Sequence, residues 1–302
     1  MPCYHPIDAF RTPGGEIKFS KQHEYAWVEK LRLSCGQCVG CRLERSRQWA
    51  TRCIHEASLY EKNCFITLTY DDEHLPGTNG VGTLHYPDFQ KFLKRLRKRF
   101  PRATIRYYMA GEYGTTFGRP HFHACIFGFD FDDKVLWKRT SANSMLYRSK
   151  ILESLWPFGY SSIGDVTFES AAYVARYIMK KVTGDDSEKH YQYCDLSTGE
   201  LIQLEPEFNR MSLKPGIGAG WLEKYAADVY PHDYVEVRGH KCTPPSYYDK
   251  LIQKNDAYEW DEILDRRKKR AKLNPEEKTR ERLLVKETVR LAKTRKLQKE
   301  IA

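Results

Sequence analysis

Arg119-Pro120-His121-Phe122-His123-Ala124-Cys125-Ile126-Phe127 is the stretch from which the architecture is read. Its aromatic and apolar content predicts a strand over His121 to Phe129. Alternate residues of a strand share a face. His121 and His123 therefore point one way and Phe122 points into the core. Two neutral imidazoles held side by side are half of a divalent-metal site. The plainer alternative is a pair of histidines on a half-exposed strand.

Working outward, Thr104 to Gly111 reads as the preceding strand, joined to the first by a glycine-rich turn from Gly114 to Gly118. Glu112 ends that strand. Across a hairpin it can face the histidines and complete a two-imidazole, one-carboxylate set. Such a set, with positions open to substrate oxygens, suits Mg²⁺ or Mn²⁺ acting on a phosphate. Otherwise Glu112 is a surface carboxylate beside a turn. Upstream lie a strand, Cys64 to Tyr70, and a helix, Pro87 to Phe100, with Phe89, Phe92, Leu93 and Leu96 inward. Asp72, Glu73 and His74 between them read as a surface loop, with contact to a metal as the alternative. Downstream, Lys134 to Leu155 reads as helical, Tyr160 to Phe168 as a strand, and Ala171 to Val182 as a helix stopped by Thr183-Gly184. This order predicts an α+β fold, an antiparallel sheet with helices on one face. The first 33 residues read as irregular and Val39 to Glu61 as a helix. Asp185 to Lys250 is turn-rich. From Asp256 the chain reads as a long charged helix or helix pair, broken near Asn274-Pro275.

Tyr173 and Tyr177 lie one helical turn apart, off the apolar stripe of Ala171, Val174, Ala175, Ile178 and Val182, with Lys180 and Lys181 beside them. A phenol is a poor nucleophile at its ordinary pKa near 10. Nearby cations and a metal-polarised phosphate can compensate, and two adjacent phenols can attack phosphodiesters in turn. Two amphipathic tyrosines on an ordinary helix are the alternative.

The nine cysteines are odd in number and scattered apart from Cys35, Cys38 and Cys41. They do not suggest a disulfide framework. CxxCxxC with Cys3 as fourth thiolate makes a closed structural Zn²⁺ site. Cys53 and Cys64 also compete for that fourth place. An Fe–S cluster fits less well, because the CysPro that ends the ferredoxin-type run is missing. Free thiols are the remaining reading.

The 302 residues are 41% hydrophobic and 30% charged, enough for a real core plus long solvated stretches. No window approaches a membrane span, and the start lacks the apolar run of a signal peptide, so a cytosolic protein is expected. The net charge of +10 favours a polyanionic partner, nucleic acid first. Asp261 to Glu300 holds 15 Lys/Arg against 8 Asp/Glu, a net of +7, which leaves +3 for the rest. Basic helix faces (Lys91 to Arg99, Arg266 to Arg270) suit phosphates, and 20 tyrosines and six tryptophans offer stacking surfaces for unpaired bases.

The strand Phe65-Ile66-Thr67-Leu68-Thr69-Tyr70, the His121-Phe122-His123 pair and the Tyr173/Tyr177/Lys180/Lys181 helix resemble, in order and spacing, the three motifs of HUH endonucleases. More closely, the chain is similar to replication initiators of microvirus (gokushovirus-like) single-stranded-DNA phages. Cys35 to Arg47, Thr69 to Pro76 and Lys214-Pro215-Gly216-Ile217-Gly218 add to that likeness, which runs from about Cys3 to Val235. The resemblance implies a ferredoxin-like nuclease core in which His121, His123 and Glu112 hold Mg²⁺ or Mn²⁺. One tyrosine would form a 5′-phosphotyrosine link at a single-stranded or supercoiled phage origin, and the other would cut the regenerated origin. Lys180 or Lys181 would contact phosphate or phenolate, with Thr67, Thr69, Arg119 and Arg176 beside the DNA. Host helicase, polymerase and single-strand-binding protein would be partners, in the host bacterial cytoplasm. The expected segments are a Cys-rich stretch with a basic helix (1–62), the nuclease core (63–184), a turn-rich extension (185–250) and a charged helical tail (251–302). Rival readings are an HUH transposase or plasmid initiator, and a non-catalytic basic zinc protein that binds nucleic acid. A two-His-motif phosphoesterase needs a second HxT or HxS, and none is present.

Overall fold

The computed structural model describes residues 3–19, 29–78, 81–114, 118–140, 144–176, 187–195 and 198–299. In chain order come β1 (Ile7–Arg11), β2 (Ile17–Lys18), β3 (Glu29–Leu33), α1 (Val39–Ala57), β4 (Asn63–Tyr70), β5 (Gly77–Thr78), β6 (Val81–Gly82) and α2 (Tyr86–Arg99). Then come β7 (Arg106–Tyr113), β8 (Pro120–Phe127), β9 (Val135–Arg139), β10 (Met145–Arg148), α3 (Lys150–Leu155), β11 (Gly159–Gly164) and α4 (Phe168–Arg176). They are followed by α5 (Ser187–His190), β12 (Gln192–Cys194), β13 (Leu201–Gln203), β14 (Phe208–Met211), α6 (Ala219–Val229), β15 (Val235–Val237), β16 (His240–Cys242), α7 (Ser246–Asn255), α8 (Ala257–Ala271) and α9 (Arg280–Lys299). The fold is mixed α+β with antiparallel sheets. Among the described residues no helix is long and apolar enough to cross a membrane.

The chain packs as two units, one of residues 1–45 with 261–302 and one of residues 46–260. In the larger unit a seven-stranded sheet runs β14-β7-β8-β4-β11-β10-β9. The pairs of β8 with β4 and β7, and of β4 with β11, are antiparallel, so β4 and β7 run the same way with β8 reversed between them.

Strand β4 alternates half-buried and buried residues along its whole length. Its inward set, Cys64, Ile66, Leu68 and Tyr70, joins Phe122, Ala124 and Ile126 of β8 under Phe89, Phe92, Leu93 and Leu96 of α2 and Leu152 and Leu155 of α3. Helix α2 forms there because those four apolar residues recur at 3.6-residue spacing. Pro87 and Asp88 suit its first turn, and Arg97, Lys98 and Arg99 suit the negative end of its dipole.

The sheet's other face is also covered, which corrects the expectation of helices on one face. Tyr108 and Ala110 of β7 and Cys125 and Phe127 of β8 pack against Ala50 and Cys53 of α1 and Ala171, Val174 and Ala175 of α4. Both faces of the central strands carry apolar residues, so both have to be buried.

Two further expectations are corrected. The stretch expected to be helical from Lys134 is the β9–β10 hairpin, and only Lys150–Leu155 is helix. Its β-branched and aromatic residues favour strand, and β9 is exposed along its whole length, so no two-residue alternation marks it. The irregular N-terminus instead holds a three-stranded sheet of order β2-β1-β3 in the smaller unit. In the tail, α8 and α9 flank a short 3₁₀ turn, Glu276–Lys278, next to Pro275, as the break at Asn274-Pro275 predicts.

Candidate active site

Register builds the site. Glu112 of β7 lies opposite His121 of β8, which lies opposite Thr69 of β4. One row over, His123 lies between Ala110 and Thr67. Residues directly opposite in paired strands share a face. The two histidines, Glu112 and both threonines therefore project from the side of the sheet that α4 covers.

The side chains converge accordingly. His123 Nε2 is 2.8 Å from Glu112 Oε1, and both residues are buried, 6% and 3% exposed. His123 Nδ1 is 2.9 Å from the Thr67 hydroxyl, and His121 Nδ1 is 3.4 Å from that of Thr69. Phe65 stacks on the His123 ring at 5.8 Å. The two imidazoles lie 6.0 Å apart, centre to centre. Anchoring each ring through Nδ1 turns its Nε2 outward, the arrangement by which metal-binding histidines are oriented. Thr67 and Thr69, expected beside DNA, thus have their hydroxyls on the histidines.

Tyr173 comes to the same place from α4. Its ring meets that of His123 edge-on at 5.1 Å between centroids. Ala171, Val174 and Ala175 are buried against the sheet, so α4 is anchored and the Tyr173 side is turned toward the histidines. Tyr177, Lys180 and Lys181 lie outside the described residues. Arg176 Nε is 3.4 Å from the carbonyl of Ala172, one turn back on its own helix. Arg119 donates to the Tyr70 carbonyl at 3.0 Å and pairs with Asp72, tying the start of β8 to the end of β4.

Gly114 was missed by sequence reasoning as more than a turn residue. A Cβ there would come within 2.6 Å of His121 Nε2. A side chain there would crowd that nitrogen, and no local motif announces such a contact.

The family described as replication-associated protein ORF2/G2P matches residues 63–182, from the start of β4 through Val182. The replication-associated protein VP4 of Bdellovibrio phage phiMH2K is 33% identical over 269 residues, which is 86% of this chain and 80% of that protein. The chain belongs to the phage replication-associated proteins. Its likeness to replication-associated protein ORF2 of Spiroplasma virus 4 is 32% over 294 residues, 90% of this chain and 87% of that one. With replication-associated protein ORF4 of Chlamydia phage 1 it shares 29% identity over 235 residues, 74% of this chain and 54% of that protein. No solved structure matches it.

In this phage replication-associated protein the smaller unit carries a second cluster, outside the stretch that the family matches. The Sγ atoms of Cys3, Cys35, Cys38 and Cys41 all lie within 4.8 Å of one another, so the four can hold one metal ion such as zinc. Cys3 Sγ is 3.5 Å from Cys35 Sγ, and Cys38 Sγ is 4.0 Å from Cys3 Sγ. Backbone N–H groups of Tyr4 and Cys35 donate to the Cys38 and Cys3 sulfurs at 3.4 and 3.2 Å. Burial pushes the Cys38 thiol up, but the N–H groups of Tyr4 and Cys41 and the neighbouring thiols outweigh it and hold it down to about 6. Cys53, Cys64 and Cys125 are buried in the larger unit and behave as core residues.

Proposed function

We propose that this protein initiates rolling-circle replication by nicking and rejoining single-stranded DNA at a specific origin through a 5′-phosphotyrosine intermediate. The observation that carries the reading is the 5.1 Å approach of Tyr173 to His123, itself 2.8 Å from Glu112. Two sequence motifs that are 50 residues apart thereby share one place on the sheet. The strand order β7-β8-β4-β11, with α2 crossing between β4 and β7, matches the split βαβ arrangement of a ferredoxin-like HUH core and supports the same reading.

The donor set fits a divalent cation: two imidazoles oriented through Nδ1 and one buried carboxylate. His121, His123 and Glu112 would hold Mg²⁺ or Mn²⁺, which supplies polarisation of the scissile phosphate. Thr67 and Thr69 hold the rings in register. The Tyr173 phenol attacks phosphorus: its proton passes to solvent or a nearby base, the Oη–P bond forms, the P–O3′ bond breaks, and the leaving 3′-oxygen takes a proton from solvent or a nearby acid. DNA is left 5′-linked to the tyrosine, with a free 3′-OH to prime the host polymerase. Tyr177, four residues further along the sequence, cuts the regenerated origin in the same way. The new 3′-OH then attacks the first phosphotyrosine and closes the displaced circle. Lys180 and Lys181 offer ammonium groups to the phosphate or the phenolate. Arg119, Arg176 and the basic surface hold the strand. Host helicase and single-strand-binding protein act with it at a supercoiled phage origin. The cysteine set takes Zn²⁺ as a structural staple of the smaller unit.

The test uses the full chain, a stem–loop origin oligonucleotide and Mn²⁺, with products resolved under denaturing conditions. A covalent protein–DNA adduct forms with Mn²⁺ and not with EDTA. The Tyr173→Phe, Tyr177→Phe double variant loses it. An adduct that survives in the double variant refutes the nucleophile assignment.

A further inference from the structure

The row that holds the site continues beyond it. Tyr160 of β11 lies opposite Thr69, so one register line runs Glu112, His121, Thr69, Tyr160 across four strands. Tyr160 therefore projects from the histidine face, and it is 60% exposed.

The next two strands extend that face. Tyr147 of β10 pairs with Ile163, and Ile163 pairs with Ile66, so Tyr147 lies on the α2–α3 side and packs against that core. Its neighbour Arg148 then points to the histidine face. Lys138 of β9 pairs with Leu146, on the same face, and the register shifts between Leu146 and Tyr147, which leaves Trp137 as the extra residue of a bulge in β9. Between them stands Trp137, 47% exposed, with the Arg148 guanidinium carbon and the Lys138 ammonium each 4.4 Å from its ring.

We infer that the β9–β10 hairpin, together with Tyr160, is a single-stranded-DNA track leading away from the active site. The inference rests on the nicking reading for its direction and adds a binding surface to it. Charge argues for the occupant. The nine residues of the two strands include three cations, Lys138, Arg139 and Arg148, and no carboxylate. Glu153 lies 3.7 Å from Arg148 and leaves the hairpin's sign positive. Exposed rings beside cations are the elements that bind unpaired bases without sequence preference: a π-face for each base and a charge for its phosphate. A protein partner would use the same apolar area but has no need of two cations beside the one tryptophan. At about 4.8 Å between strands, β4 to β9 spans roughly 14 Å, room for a few unpaired nucleotides.

The experiment measures binding alone. Fluorescence anisotropy of a labelled 12-nucleotide oligo-dT is followed in EDTA, where no cleavage runs, at fixed salt with the full chain. Trp137→Ala and Tyr160→Ala each weaken binding roughly tenfold, and Trp137→Phe keeps most of it. Affinity for a duplex of equal length falls much less, because paired bases offer no free face. Melting curves check that the variants, altered at exposed positions, remain folded. Unchanged oligo-dT affinity in the Trp137→Ala, Tyr160→Ala double variant overturns the proposal and assigns the patch to a protein partner. An equal loss for duplex also overturns it, leaving charge without stacking. Failure of the wild-type chain to form a Mn²⁺-dependent adduct would sink the nicking reading and leave this binding result standing.

Discussion

At His123, three neighbours set one ring: the Thr67 hydroxyl at Nδ1, the Glu112 carboxylate at Nε2 and the stacked Phe65 face. Removing the hydroxyl leaves the proposed ligand in place but loosens its orientation. Thr67→Val is expected to raise the Mn²⁺ concentration for half-maximal adduct formation by about 10- to 100-fold, with near-normal yield at saturating metal. A metal titration of the adduct assay reads this directly. His123→Ala should lose the adduct or demand far more metal. Gly114→Ala makes a different prediction. The added methyl meets His121 Nε2, so activity should fall steeply while the melting temperature moves little, since Gly114 lies in the turn beyond the ends of β7 and β8 and not in the core. A Gly114→Ala protein with full activity would show that His121 does not need that nitrogen accessible.

Strands and helices set where those residues meet, and here the sequence was legible unevenly. The histidine pair was readable because a period of two is a local property of one strand. Glu112 was readable because a hairpin places residues nine to eleven apart across from one another. The Thr67 and Thr69 contacts were not, since they depend on β4 pairing with β8 more than 50 residues later. The joining of β14 to the edge beside β7 was equally invisible, as was the second helical layer. Both are long-range packing choices with no local signature. Phe122 sits fully buried between α2 and the sheet, and Phe122→Ala should cost about 3–5 kcal/mol in denaturant unfolding. On α1, His55 stacks on Trp221 at 3.5 Å and bonds the Tyr248 hydroxyl at 2.9 Å. Burial pulls its imidazole down to about 4, so the folded state favours the neutral ring. An unfolded histidine titrates near 6.5. Stability from this group is therefore complete above about pH 6.5 and declines as pH falls toward 4, by about 3 kcal/mol at most. Unfolding midpoints at pH 7 and 4.5, compared with those of His55→Gln, isolate that share.

Across the whole molecule, the proposed function gives the two units different metal chemistries: an open nitrogen–oxygen set for phosphate and a closed thiolate set for folding. In the smaller unit, Leu283 of α9 is buried with Tyr4 and Cys38, and His5 meets Glu287 at 2.7 Å, so the thiolates and the C-terminal helix form one core. The purified chain is expected to carry one zinc. Cys38→Ser with Cys41→Ser should abolish it and raise hydrogen exchange in residues 3–45 and 261–299, leaving β4, β7 and β8 protected. Full protection without zinc would make the cysteines mere packing. The central claim concerns the larger unit, that a tyrosine beside the paired histidines takes up a DNA phosphate. Its most direct measurement is tandem mass spectrometry of the nucleotide-bearing peptide from the Mn²⁺ reaction. The 5′-phosphate adduct should map to Tyr173 or Tyr177; a nucleotide on any other side chain, or none on the protein while the origin is still cut, would contradict it.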